Sequence, residues 1–111
     1  MGKYKILITR NAYKQLRKIR AYIENELCAP QAAKDVISAL RKAVFSLEFM
    51  PARHPYTDMG NWANEGVRKL PVKNFIIFYN IDEQKRAVNI LAVLSERRDL
   101  TEDLLSYKDR I

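Results

Sequence analysis

The chain has one cysteine, one histidine, three glycines and no long apolar run among its 111 residues. Each shortage removes a class of function. A lone Cys28 cannot close an intrachain disulfide, and one histidine without clustered thiols or carboxylates leaves nothing to ligate zinc. A Ser/His/Asp or Cys/His device would have to use His54, which stands in a Pro-flanked loop with no nucleophile signature around it. Gly2, Gly60 and Gly66 are isolated, so no glycine-rich phosphate loop exists. No apolar run is longer than Phe75 to Tyr79, far below the roughly 20 residues that span a bilayer. The opening MGKYKILITR puts charges where a secretion signal would have its apolar core. The expected setting is a reduced cytoplasm, with no metal, no small-molecule cofactor and no membrane partner.

What is plentiful is positive charge. Twenty Lys and Arg against thirteen Asp and Glu give a net charge of +7, more than solubility needs. The excess lies entirely in the first half: eleven basic and four acidic residues precede the end of Pro55, and nine of each follow it. Within that half, Arg10 to Arg20 carries five basic residues and no acid.

Length and a 48% hydrophobic content suit a single domain over residues 1–111. Tyr4 to Thr9 alternates as a strand buried on one face. Thr9 can cap a helix in which Ala12, Leu16, Ile19, Ile23 and Leu27 form an apolar stripe, so the pattern predicts a helix to about Leu27. At about 100° per residue, Arg10, Lys14, Arg17 and Lys18 lie opposite that stripe. Pro30 suits the first turn of a second helix with core positions Ala33, Val36, Ile37, Leu40, Val44 and Leu47, ending near Met50. The two helices form a hairpin whose apolar faces must cover a sheet. Pro51 to Glu65 lacks periodicity and reads as a long loop, in which Trp62 is either an anchor or part of a partner surface.

Three strand-like runs follow, Val67 to Val72, Phe75 to Ile81 and Ala87 to Leu94. The links Lys73-Asn74 and Asp82 to Arg86 suit hairpins, so an antiparallel meander is expected. FIIFY is apolar on both parities and should be central, with Tyr79 a core residue whose hydroxyl is satisfied. Leu100, Leu104 and Leu105 suggest a short final helix. The fold class is α+β, a β-α-α-β-β-β order with two helices on a small, mainly antiparallel sheet. Pattern alone leaves the strand order open.

The candidate chemistry is cationic. Arg68, Lys69 and Lys73 lie on or beside the second strand, and Arg97 and Arg98 follow the last. If those strand ends meet, the groups make one electropositive patch near Tyr79 and Tyr56, able to hold phosphates and stabilise charge on phosphorus. Alternation lets only one of Arg68 and Lys69 face the open side. Arg97 and Arg98 could instead pair with Glu96 and Asp99 in a surface network worth little.

Taken in order, AYKQLRKIRAY (Ala12 to Tyr22), Leu47 to Pro51, GVRKL, FIIFYNIDE and VLSERRDL resemble the RelE/ParE superfamily of type II toxin–antitoxin toxins, from about Tyr4 to Leu100. The resemblance implies one fold with two activities. RelE-like members cut mRNA in the ribosomal A site, ParE-like members poison DNA gyrase, and an antitoxin wraps and neutralises both. In the nuclease pattern Lys69 aligns with a sheet lysine and Arg97 with the arginine after the last strand. Arg68, Lys73, Arg98 and Tyr107 are further candidates. Val67 and Ile76 stand where that pattern has Lys and Arg, and Tyr107 falls a few residues late. SERRDL and GVRKL are similar to the corresponding stretches of ParE-like members. The resemblance therefore implies a growth-inhibiting, gyrase-binding toxin of a plasmid-stabilisation (addiction) module. The alternatives are a ribosome-dependent, metal-independent mRNA endonuclease (an mRNA interferase) and an inactivated member that binds only its antitoxin. In each case the partner implied is an antitoxin whose acidic, amphipathic segment covers the helical hairpin and neutralises Arg10, Lys14, Arg17 and Lys18.

Overall fold

A computed structural model describes residues 3–96. Arg97, Arg98, Tyr107 and the suggested final helix lie outside the described residues. Strand β1 (Lys5–Ile8) leads into helix α1 (Arg10–Ala21), helix α2 (Pro30–Ser46) follows, and β2 (Arg68–Val72), β3 (Phe75–Asp82) and β4 (Ala87–Ser95) complete a four-stranded sheet. Its order is β1-β4-β3-β2. β1 runs parallel to β4, and the other pairs are antiparallel. The expected α+β architecture is present, and the central position of FIIFY holds because β3 lies between β4 and β2.

Thr9 caps α1 as its position suggests: its Oγ1 accepts from Ala12 N–H at 3.1 Å. The helix is shorter than its periodicity predicts. Tyr22–Glu26 widens into a π-helical turn, which shifts the phase of the stripe. Ile23 stays buried, but Leu27 is 55% exposed and leaves the core. α2 likewise stops at Ser46 rather than near Met50. Met50 takes a left-handed conformation (φ 49°), and the Arg53 guanidinium donates to the carbonyls of Ser46, Phe49 and Met50. Ser46 holds the last carbonyl of α2 and the other two follow in the turn beyond it; a cation there also opposes the negative end of the helix dipole.

Ala12, Leu40, Val44 and Leu47 from the helical layer pack on Ile77, Tyr79, Val88, Ile90 and Val93 from the sheet. A bulge explains why β4 is apolar on both parities. Phe78 pairs with Ala92 but Tyr79 pairs with Ile90, leaving Leu91 as the extra residue. Before the bulge Val88 and Ile90 face the helices; after it Val93 does, while Ala92 and Leu94 turn to the opposite face. The displaced backbone is held from α1: Thr9 Oγ1 and Asn11 Nδ2 donate to Leu91 C=O, and Val93 N–H donates to Gln15 Oε1 at 2.7 Å.

Candidate functional site

The stretch Pro51 to Glu65 is a strap rather than a structureless loop. It contains two short 3₁₀ turns, Pro51–Arg53 and Gly60–Asn64. Several contacts tie its first part to the sheet. The buried Tyr79 hydroxyl donates to Pro51 C=O at 2.6 Å, and burial pushes its pKa up to about 12, against the opposing pull of Arg68 and Arg53. Arg68 Nη1 donates to the carbonyls of Ala52 (3.1 Å) and His54 (2.6 Å). Lys69 N–H donates to Pro55 C=O, and Tyr56 bridges Arg68, whose guanidinium lies 4.0 Å from the Tyr56 ring centre. His54 packs edge-on to Tyr79, with ring centres 6.4 Å apart. Burial first, then the Arg53 and Arg68 charges, hold its imidazole below the usual histidine range, and its buried Nε2 has no partner among the described residues.

The second part of the strap crosses to the other face of the sheet. Trp62 is 2% exposed, with its ring 5.0 Å from that of Phe78, and it closes a cluster with Val67, Ala92 and Leu94. Of the two readings of Trp62, the anchor is the one observed.

Cross-strand partners share a face, which places the cationic candidates. Arg68 pairs with Tyr79 and belongs to the helix side; Lys69 pairs with Phe78 and belongs to the Trp62 side. Lys73 is exposed in the β2–β3 turn with φ 55°, five positions from Arg68 and so roughly 16 Å along the strand. β4 ends opposite Phe75, and Glu96 N–H donates to Asn74 C=O, so the chain leaves the sheet beside Lys73 and not beside Arg68. The single patch expected from Arg68, Lys69 and Lys73 is thus not assembled among the described residues. The pleat and the length of β2 keep the three apart. What Arg68 joins instead is the Tyr56 ring and the carbonyls of Ala52 and His54, beside an open cleft that Ala52, Tyr56 and Arg68 line together with Asn80 and Asp82. There β2 has not yet begun, and β3 is paired only with β4.

Arg10, Lys14, Arg17 and Lys18 are all exposed on α1, opposite the buried Ala12. Among the described residues none of the four is in an ion pair, whereas Arg20 beside them pairs with Glu24 at 3.7 Å. The helical hairpin also exposes large apolar side chains: Phe45 and Phe49, one turn apart, and Met50 at 75%. Phe45 lies one position off the Val44–Leu47 stripe, a signal present in the sequence. The carbonyl-binding roles of Arg53 and Arg68 have no such local signal. Among the described residues no group of His, Cys, Asp and Glu converges as a metal site, and no helix is long and apolar enough to cross a membrane.

Comparison with known proteins places this geometry. A family described as "ParE toxin of type II toxin-antitoxin system, parDE" matches residues 6–100. The chromosomal ParDE system of P. aeruginosa superposes with a TM-score of 0.69 at 18% identity, covering 84% of this chain and 96% of that one. The toxin–antitoxin complex RelBE2 from Mycobacterium tuberculosis gives 0.62 at 21%, over 84% and 98%. A mutant of the E. coli toxin RelE in its free state gives 0.63 at 15%, over 100% and 99%. These likenesses are of fold. No curated protein sequence matches this chain.

Proposed function

Since the chain belongs to the ParE toxin family of type II toxin–antitoxin systems, we propose that it inhibits growth by binding DNA gyrase and that a cognate antitoxin holds it inactive. The observation that carries this reading is the family match over residues 6–100, which includes GVRKL, whose Arg68 opens β2, and SERRDL, whose Ser95 ends β4. The separation of Arg68 from Lys69 across the sheet is a second support. A phosphoryl-transfer site needs its cations converging on one phosphorus, and these two point to opposite faces. Arg97 and Lys69 remain the residues proposed to carry toxicity, with Arg68, Lys73, Arg98 and Tyr107 behind them.

For the antitoxin, the hairpin offers apolar and cationic contacts on separate stretches. Phe45, Phe49 and Met50 are exposed apolar groups for one face of a helix, and Arg10, Lys14, Arg17 and Lys18 are cations for its acidic residues. Plasmid stabilisation is the role such a pair would serve.

The test is a direct choice of target. Purified toxin should inhibit gyrase supercoiling, and the double substitution Lys69→Ala with Arg97→Ala should restore both supercoiling and growth. Unaffected supercoiling together with cleavage of ribosome-bound mRNA at defined codons would replace this reading with the nuclease one.

A further inference from the structure

We infer that the outer face of α1 grips the phosphate backbone of duplex DNA. This rests on the gyrase reading above only for its choice of DNA as the polyanion.

The argument begins with a cost. A helix N-terminus favours acidic residues because its unpaired N–H groups carry positive charge. The first turn of α1 has none and starts with Arg10. Arg10, Lys14 and Lys18 follow one another at i, i+4 and i+8, where like charges repel. Arg17 and Arg20 flank that line, and Arg10–Ala21 contains no acid to relieve it; the Arg20–Glu24 pair acts only at the far end. Lys18 and Arg20 suit the last turn, but Arg10 at the first turn and the repulsion along the line weaken the isolated helix, and the core face would pack equally well with mixed charges outside. The arrangement is explained by a polyanion that removes the repulsion.

The shape of the face selects which polyanion. The three in-line cations span about 12 Å on a convex surface at 1.5 Å per residue. Between Arg10 and Ala21 the exposed large apolar side chains reduce to Tyr13, at 57% exposure, and its hydroxyl can itself donate to a phosphate. Tyr22, 54% exposed, follows Lys18 at i+4 and closes the line, while the other exposed apolar groups of the hairpin, Leu27, Phe45, Phe49 and Met50, lie outside this segment. Such a face offers cations and two tyrosine hydroxyls, the groups by which a protein holds a sugar–phosphate backbone without reading sequence. Toxin bound to gyrase would thereby also hold the DNA on which gyrase acts, and an acidic antitoxin segment would compete for the same cations.

The experiment compares two triple variants with equal loss of charge. Lys14→Gln, Arg17→Gln and Lys18→Gln alter the α1 face; Lys34→Gln, Arg41→Gln and Lys42→Gln alter exposed positions of α2. Binding of each full-length protein to a fluorescent mixed-sequence DNA duplex is followed by anisotropy over a salt series. Unaltered toxin should bind with a log–log salt slope of about −3 to −4, or about 100-fold weaker at about 200 mM than at about 50 mM salt. The α1 variant should lose at least about tenfold in affinity and flatten that slope by about 3 units; the α2 variant should stay close to unaltered. No duplex binding, equal loss in both variants, or tighter α1-dependent binding to duplex RNA would each overturn the inference. DNA binding without inhibition of supercoiling would leave it standing and remove the gyrase reading instead.

Discussion

The two faces of the sheet are covered by very different means. On one, two amphipathic helices lay Ala12, Leu40, Val44 and Leu47 over Ile77, Tyr79, Val88 and Ile90. On the other, one segment of a loop brings Trp62 against Phe78, Val67, Ala92 and Leu94. The helical side distributes its burial over many small contributions at helical spacing. The strap side concentrates it in a single indole, whose position depends on hydrogen bonds from Tyr79 and Arg68 a few residues upstream. A redundant cover tolerates change; a concentrated one does not.

The contrast is broken most directly by truncation on each side. Trp62→Ala should cost about 4 kcal/mol of unfolding free energy and Leu40→Ala about 3 kcal/mol, measured by urea denaturation. A loss under about 1 kcal/mol at Trp62 would show that the strap does not seal its face. The link between strap and sheet is sharpened by Tyr79→Phe, which leaves the ring in the core and strips Pro51 C=O of its donor. The expected loss is about 1–2 kcal/mol, with increased proteolytic nicking confined to residues 51–65. No change in either readout would separate the hydroxyl from strap docking.

The smallest effect is titration of His54. Its folded pKa lies below the ordinary value of 6.5 because burial and the Arg53 and Arg68 charges disfavour the imidazolium. Its neutral form therefore contributes stability that is complete above about pH 6.5 and declines as the pH falls, when the unfolded chain takes up a proton that the folded one resists. His54→Asn should flatten that part of the stability profile relative to the unaltered chain. Superimposable profiles from pH 5 to 8 would refute the assignment.

Much of the helical layer and the β2–β3 hairpin is legible because the signals are local. Thr9 before an apolar stripe, Pro30 opening the next helix, and Lys73-Asn74 between two apolar runs each act within a few residues, and each appears where its chemistry places it. Pattern and structure part where a helix changes pitch or ends on a remote partner. Leu27 leaves the stripe at a π turn, and α2 stops early, where the Arg53 side chain takes the Ser46 carbonyl. The strap was illegible beyond its lack of period, since Trp62, Arg68 and Tyr79 become its anchors only when β2 and β3 are paired. The cationic site suffered most. Arg68 and Lys69 are adjacent in sequence, and adjacency in a strand sends side chains to opposite faces.

By itself the chain of residues determined the elements, the side of each helix that is buried, and the place of the positive charge. These follow from backbone propensity and hydrophobic period, which act over a turn or two. Only the tertiary structure decided that β1 joins β4 in parallel, that a bulge at Leu91 reverses the faces of β4, and that Arg68 spends its guanidinium on strap carbonyls. Those outcomes depend on which distant groups meet in three dimensions, where a buried carbonyl must find its donor wherever the folded chain supplies one.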